Sequence, residues 1–114
     1  MKRLLNACEK TMIKKVAERL SERDGAQLLE DLARAFVAAE TSDRSRVTFG
    51  IYGYVRPPYR GQRSFGVEGM LKDNDGTDVS VDLFADDNGR LLELELIRWG
   101  HGDLIKPDWH TLKL

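Results

Sequence analysis

Residues 72–103 read KDNDGTDVSVDLFADDNGRLLELELIRWGHGD. In this stretch Val79, Val81 and Leu83 alternate with Ser80, Asp82 and Phe84. Leu92, Leu94 and Leu96 alternate with Glu93, Glu95, Ile97 and Trp99. A period of two is the mark of a strand with one face on a core and one in solvent. The runs are bounded by Asp73–Gly76 and Asp86–Gly89. These contain Asp-Gly and Asn-Gly, which tolerate the positive φ of a two-residue hairpin turn. The stretch therefore predicts consecutive antiparallel strands.

The same acidic knots invite a calcium reading. With Gly76 at the sixth position of a calcium loop, Asp75 falls at the fifth, Asp73 at the third and Asp82 at the twelfth. Leu71 then falls at the first, where a side-chain ligand is required. The knots are read as turns.

Upstream, the pattern continues. RVTFGIYGYV (46–55) sets Val47, Phe49 and Ile51 against Thr48, Gly50, Tyr52 and Tyr54. FGVEGMLKD (65–73) alternates more weakly, and a first short strand runs from about Phe36 to Glu40. Pro57 and Pro58, in RPPYRGQRS (56–64), cannot donate ladder hydrogen bonds and stiffen that connection. Before residue 36 the period becomes helical. Leu5, Cys8, Met12, Ile13, Val16 and Leu20 recur at spacings of three and four, which predicts a helix over 2–21. Asp24 as N-cap with Gln27 three residues later starts a second helix over about 25–35, with Leu28, Leu29 and Leu32 on its apolar side. The expected fold is α+β: two N-terminal helices packed on one face of a four- or five-stranded antiparallel meander. Its sheet spans about 36–100 and a C-terminal strap spans 101–114. In that strap Leu104, Ile105, Trp109 and Leu112 are expected to dock on the sheet edge.

The chain has 114 residues, 41% hydrophobic and 32% charged, as expected of one globular domain over 1–114. No stretch approaches the roughly 20 apolar residues of a membrane helix. The N-terminal MKRLLNACEKTMIKK returns to charge too soon for a signal peptide. With a single cysteine, these features predict a cytoplasmic protein. Cys8 lies on the apolar stripe of the first helix, where a thiol packs rather than reacts.

Net charge is −1, unevenly spread. Residues 35–67 hold five basic and two acidic side chains, net +3, whereas residues 68–103 hold three and ten, net −7. Neither part offers a catalytic set. No serine sits in a Gly-x-Ser-x-Gly elbow, and Gly61 to Gly69 lacks phosphate-loop spacing. His101, Asp103, Asp108 and His110 lack diagnostic zinc spacing. The sequence predicts no metal, no cofactor and no enzyme.

Two binding surfaces compete. Arg56, Arg60 and Arg63 share a loop with Tyr54 and Tyr59, a combination that grips phosphates and stacks bases. Against a nucleic-acid partner stands the acidic sheet beside it. The other surface is the solvent face, where Ser80, Asp82, Phe84, Glu93, Glu95, Ile97 and Trp99 are expected together. Glu68, Tyr52 and Tyr54 are candidate additions. Adjacent carboxylates repel unless a cation is near, and exposed aromatics serve as anchors. This face is expected to bind a basic protein through Asp82, Glu93, Glu95 and Trp99, with Phe84 and Tyr52 as secondary anchors.

Asp73, Asp75, Gly76, Val79, Leu83, Asp87, Gly89, Leu91, Glu93 and Leu94 resemble the D-x-D-G…D-x-x-G-x-L-x-E-L stretch of a family of small bacterial proteins of unknown function. The likeness spans about residues 3–105. It implies a helical N-terminus and a C-terminal antiparallel sheet. In size, single cysteine and acidic face the chain is also similar in type to immunity proteins of bacterial toxin systems, including those against contact-dependent growth-inhibition toxins. That similarity implies a toxin partner, with the acidic surface occluding a basic cleft.

Overall fold

A computed structural model describes residues 2–114. Two helices, α1 (Ala7–Arg19) and α2 (Glu22–Ala33), precede seven strands. These are β1 (Ala35–Glu40), β2 (Arg46–Ile51), β3 (Arg63–Ser64), β4 (Gly69–Lys72), β5 (Asp78–Ala85), β6 (Leu91–Arg98) and β7 (Asp108–Lys113). The class is α+β as expected; the strand count is higher than four or five.

Both helices start on caps. The Asn6 side chain accepts from the Glu9 N–H while Glu9 reaches back to the Asn6 N–H, a complete capping box. The first helix therefore begins at Ala7, not at 2. Ahead of it Arg3 pairs with Val37 on the edge of β1. The second helix starts three residues earlier than expected, because Ser21 rather than Asp24 is its N-cap and accepts from the Asp24 N–H. Gly25, buried within α2, lets the helices close on each other: a β-carbon there would stand 2.6 Å from the Ala17 carbonyl oxygen.

The sheet is antiparallel throughout, in the order β1-β2-β6-β5-β4-β7, with β3 also on β5. It is not a simple meander. β1–β2 and β4–β5–β6 are, but β2 docks on β6 rather than on the next strand in sequence. Two further departures raise the count. The weak run at 65–73 continues a strand that starts at β3 and is interrupted: β3 and β4 both pair with β5, Phe65 still donates to the Leu83 carbonyl, and Gly66 to Glu68, with Gly66 at φ +81°, bulge out between them. The C-terminal strap does more than dock, since its second half becomes β7 on the free edge of β4.

The helices cover one face. Met12, Ile13, Val16 and Leu28 join Val37, Val47, Phe49, Leu71, Val79, Val81, Leu83, Leu94 and Leu96 in one buried cluster. Each such aliphatic side chain contributes about 1.5–3 kcal/mol by leaving water. On β6 the alternation slips once. Ala85 pairs with Leu91 and Phe84 with Glu93, so Leu92 is the extra residue of a bulge. Leu91 takes the core position expected of Leu92. Leu92 instead lines a small hollow with Arg56, Pro57, Pro58 and Tyr59 of the crossing loop.

The two acidic knots are turns, but not two-residue ones. In each, the glycine N–H donates to the first Asp carbonyl (Gly76 to Asp73, Gly89 to Asp86, both 2.9 Å). Only Gly76 (φ +85°) and Gly89 (φ +76°) take positive φ there, whereas a two-residue type I′ turn would need two such residues. These are the longer hairpin loops in which glycine closes a bulge. No helix among the described residues is long and apolar enough to cross a membrane.

Candidate functional site

The register brings the expected solvent face together. Arg46 lies opposite Glu95, which lies opposite Asp82; Thr48 lies opposite Glu93, which lies opposite Phe84. Ile97 lies opposite Ser80, and Ser80 opposite Met70. The Trp99 N–H donates to the Asp78 carbonyl, continuing the same ladder.

The cation that crowded carboxylates require is inside the chain. Arg46 places Nε 2.8 Å from Glu93 and Nη2 2.9 Å from Glu95. Alternation with Thr48 was enough to put Arg46 on this face; only the β2–β6 pairing puts it beside Glu95. Glu93 is buried at 6% exposure. Burial pushes its carboxyl up, Arg46 opposes this and Glu95 adds to it. Asp82 has no such partner. It accepts from the Ser64 hydroxyl at 2.8 Å. Burial raises its carboxyl, Ser64 opposes, and Glu68 and Glu95 raise it further. Asp82 and Glu68 are thus the carboxylates on this face without an in-chain cation within 4.0 Å among the described residues.

The anchors separate. Trp99 is 65% exposed and Ile97 54% exposed, at the end of β6. Phe84 is half-buried. Tyr52, 58% exposed, lies beyond the far end of β2, roughly 30 Å from Trp99 at about 3.3 Å per residue. It stacks on Phe36 with centroids 4.5 Å apart, and Phe36 fills the space over Gly50. Tyr52 and Trp99 do not form one patch.

The arginine–tyrosine loop is divided in the same way. Arg56 is a wedge in the β2–β6 seam. Its Nη2 donates to the carbonyls of Phe49 (2.9 Å) and Leu91, and its Nη1 to Asp86 at 2.9 Å. Tyr54, expected as a candidate on the solvent face, instead donates to Asp86 at 2.7 Å, and the guanidinium groups of Arg56 and Arg90 lie 5.4 and 4.3 Å from its ring centroid. Arg63 reaches Asp87 only at 4.0 Å, while Tyr59 and Arg60 are exposed.

The rest of the acidic block is also engaged. Asp73, fully buried, accepts from the N–H groups of Ile105 (3.0 Å), Lys106 (2.8 Å) and Asn74 (2.8 Å) and from Arg98 (2.9 Å). Burial pushes its carboxyl up, but these donors outweigh it and hold it below the ordinary value of 3.8. Asp86 is likewise lowered: burial raises it, and Tyr54, Arg90, Arg56 and Asn88 donors prevail. Asp75 takes two further bonds from Arg98, at 2.9 and 2.7 Å, and Asp78 pairs with Lys72. Of the C-terminal candidates, His101, Asp103, Asp108 and His110 are all exposed, and no cluster of three or more His, Cys, Asp or Glu poised for a metal ion occurs among the described residues. Sequence reasoning placed Ile97 on this face without counting it among the binding residues and overlooked Arg46 there; on the opposite face, where Arg98 lies across from Val79, it overlooked Arg98 as the partner of Asp73 and Asp75. Ile97 was visible in the alternation; the partners of the two arginines were not.

No curated protein and no solved structure matches the chain. Residues 2–108 match a family described as a domain of unknown function (DUF6984), and the chain belongs to that family.

Proposed function

We propose that the chain is a non-enzymatic protein-binding module that docks a basic partner on the corner of the outer sheet face around Ile97, Trp99 and Asp82. One observation carries this: two large apolar side chains stand more than half exposed at the end of a strand fixed by pairing, beside carboxylates with no cation within 4.0 Å among the described residues. Such side chains act as anchors and unpaired rim charges steer association. In cellular terms we read it as a bacterial immunity protein, held in the cytoplasm, that occludes a toxin domain such as a nuclease. The emphasis shifts from Glu93 and Glu95, which Arg46 already holds, to Trp99, Ile97 and Asp82.

The test is calorimetric titration against the products of the neighbouring reading frames, with a growth-rescue assay on co-expression. Trp99→Ala with Ile97→Ser is expected to weaken binding by at least about 100-fold, as two central anchors do, and to abolish rescue while leaving the melting temperature within a few degrees. Unchanged affinity rejects this corner as the interface. A second reading is RNA binding by Tyr59, Arg60 and Arg63, favoured by their exposure. Filter binding with bulk RNA, weakened by Arg60→Ala and by salt, would support that reading instead.

A further inference from the structure

A cavity of about 370 Å³ opens on the helix side of the sheet, between the start of α1, the β1–β2 turn and the strap. Val47, Leu94, Leu96 and Leu104 lie at its floor but are core residues no more than 6% exposed, so the apolar surface it offers is that of Ile105, Pro107 and Trp109. The hollow is open to solvent on one side, and its size falls in the range of small-molecule sites.

The charges at its mouth are not equivalent. Glu9 is spent: it takes two bonds from Arg3 (2.9 and 2.8 Å) and one from the Asn6 N–H. Asp43 is spent as well, accepting from the Ser45 hydroxyl and N–H, the Thr41 hydroxyl and the Leu104 N–H. The Ser45 hydroxyl first, and the other three donors with it, outweigh burial and hold this carboxyl at about 2. Arg44 is different. Its nearest carboxylate is Glu40 at 3.9 Å, and its side chain is 68% exposed. Among the described residues Lys106 bonds through its main-chain N–H alone, to Asp73. The uncommitted charge over this apolar surface is positive.

Arg44 is also the only non-glycine among the described residues with positive φ (+61°). Its N–H donates to the Thr41 carbonyl at 3.0 Å, as Gly76 and Gly89 donate to Asp73 and Asp86. Glycine would suit that place without strain. An arginine kept in a strained position at a cavity mouth points to work done by its side chain.

We infer that this cavity binds a small organic acid, its apolar body against Ile105, Pro107 and Trp109 and its carboxylate on Arg44 and Lys106. The probe is octanoate, with octylammonium as the same chain bearing the opposite charge. In a Trp99→Phe background, Trp109 is the single tryptophan and reports on the wall of the cavity. Octanoate should change its fluorescence saturably, with a Kd below about 1 mM, and octylammonium should bind at least about tenfold more weakly. Arg44→Gly should raise the melting temperature or leave it unchanged, yet weaken octanoate about fivefold or more; a purely structural Arg44 would give the first effect without the second. Absence of a saturable change, equal binding of the two head groups, or full affinity in Arg44→Gly with Lys106→Ala would each overturn the inference.

Discussion

The turns at Asp73–Gly76 and Asp86–Gly89 are the same device used in two ways. Each opens with a buried aspartate that caps its own turn, each closes on a positive-φ glycine, and each draws in an arginine. They differ in what else they hold. Asp86 grips side chains, those of Tyr54 and Arg56, and through them the crossing loop. Asp73 grips main chain, the N–H groups of Ile105 and Lys106, and through them the strap. A side-chain tether depends on residue identity; a main-chain tether is blind to it. That is why Arg56 and Tyr54 stood out in the sequence, as suspected nucleic-acid contacts and surface aromatics, whereas nothing in Ile105 or Lys106 announced a tether.

The largest effects should come from removing the hubs. Asp73→Ala and Asp86→Ala each leave several donors unpaired and are expected to cost about 3–5 kcal/mol in urea unfolding. A loss under about 1 kcal/mol at either would mean that turn is not a hub. Next comes the partner side, where the comparison can be broken. Arg56→Ala should cost about 3 kcal/mol, because two strand carbonyls and Asp86 lose their donor. Ile105→Ala and Lys106→Ala should stay within about 0.5 kcal/mol, because the bonds come from the main chain. Similar losses on both sides would erase the distinction.

Acid should then act on both turns together. Their carboxyls sit lower folded than unfolded, so the stability they contribute is complete above the ordinary value of 3.8 and is lost as pH falls through the folded values. Stability measured from pH 6 down to pH 2 should decline in that window, and Asp73→Asn and Asp86→Asn should each flatten the decline. Asp82 and Glu93 work in the opposite sense. Their carboxyls are raised, so their favourable contribution is complete at low pH and fades as pH rises through the folded values. A decline that persists unflattened in both variants would place acid sensitivity elsewhere. The smallest effects belong to the closing residues: Gly76→Ala and Gly89→Ala should each cost about 1 kcal/mol for placing a β-carbon at positive φ.

Much of the fold was legible because it is local. Turn glycines, the period of two on β2 and β5, and the helical stripe of Met12, Ile13 and Val16 are each set by neighbours a few residues apart. Where local rules met a longer-range demand, the reading slipped. The bulge at Leu92 shifted one leucine off the core, since closing against β5 and receiving the crossing loop outweighed simple alternation. The strand ends at 65–68 and the conversion of the strap into β7 followed from which edges were left unpaired. The outer face was assembled correctly in outline, because face membership depends on parity alone. Its energetics were not, because the charge balance depends on which strand lies beside β6.

By itself, then, the sequence determined both helices, the main strands, their order and the face of most strand residues, since backbone propensity, capping and alternation act over a few residues. Tertiary structure decided that β2 rather than β4 completes β6, that Arg46 meets Glu93 and Glu95, that Arg56 fills the seam, and that a cavity remains under the strap. Those outcomes join residues up to 61 positions apart, as Asp43 and Leu104 are, and pairing over such distances is settled by packing and desolvation of the whole sheet rather than by any short pattern.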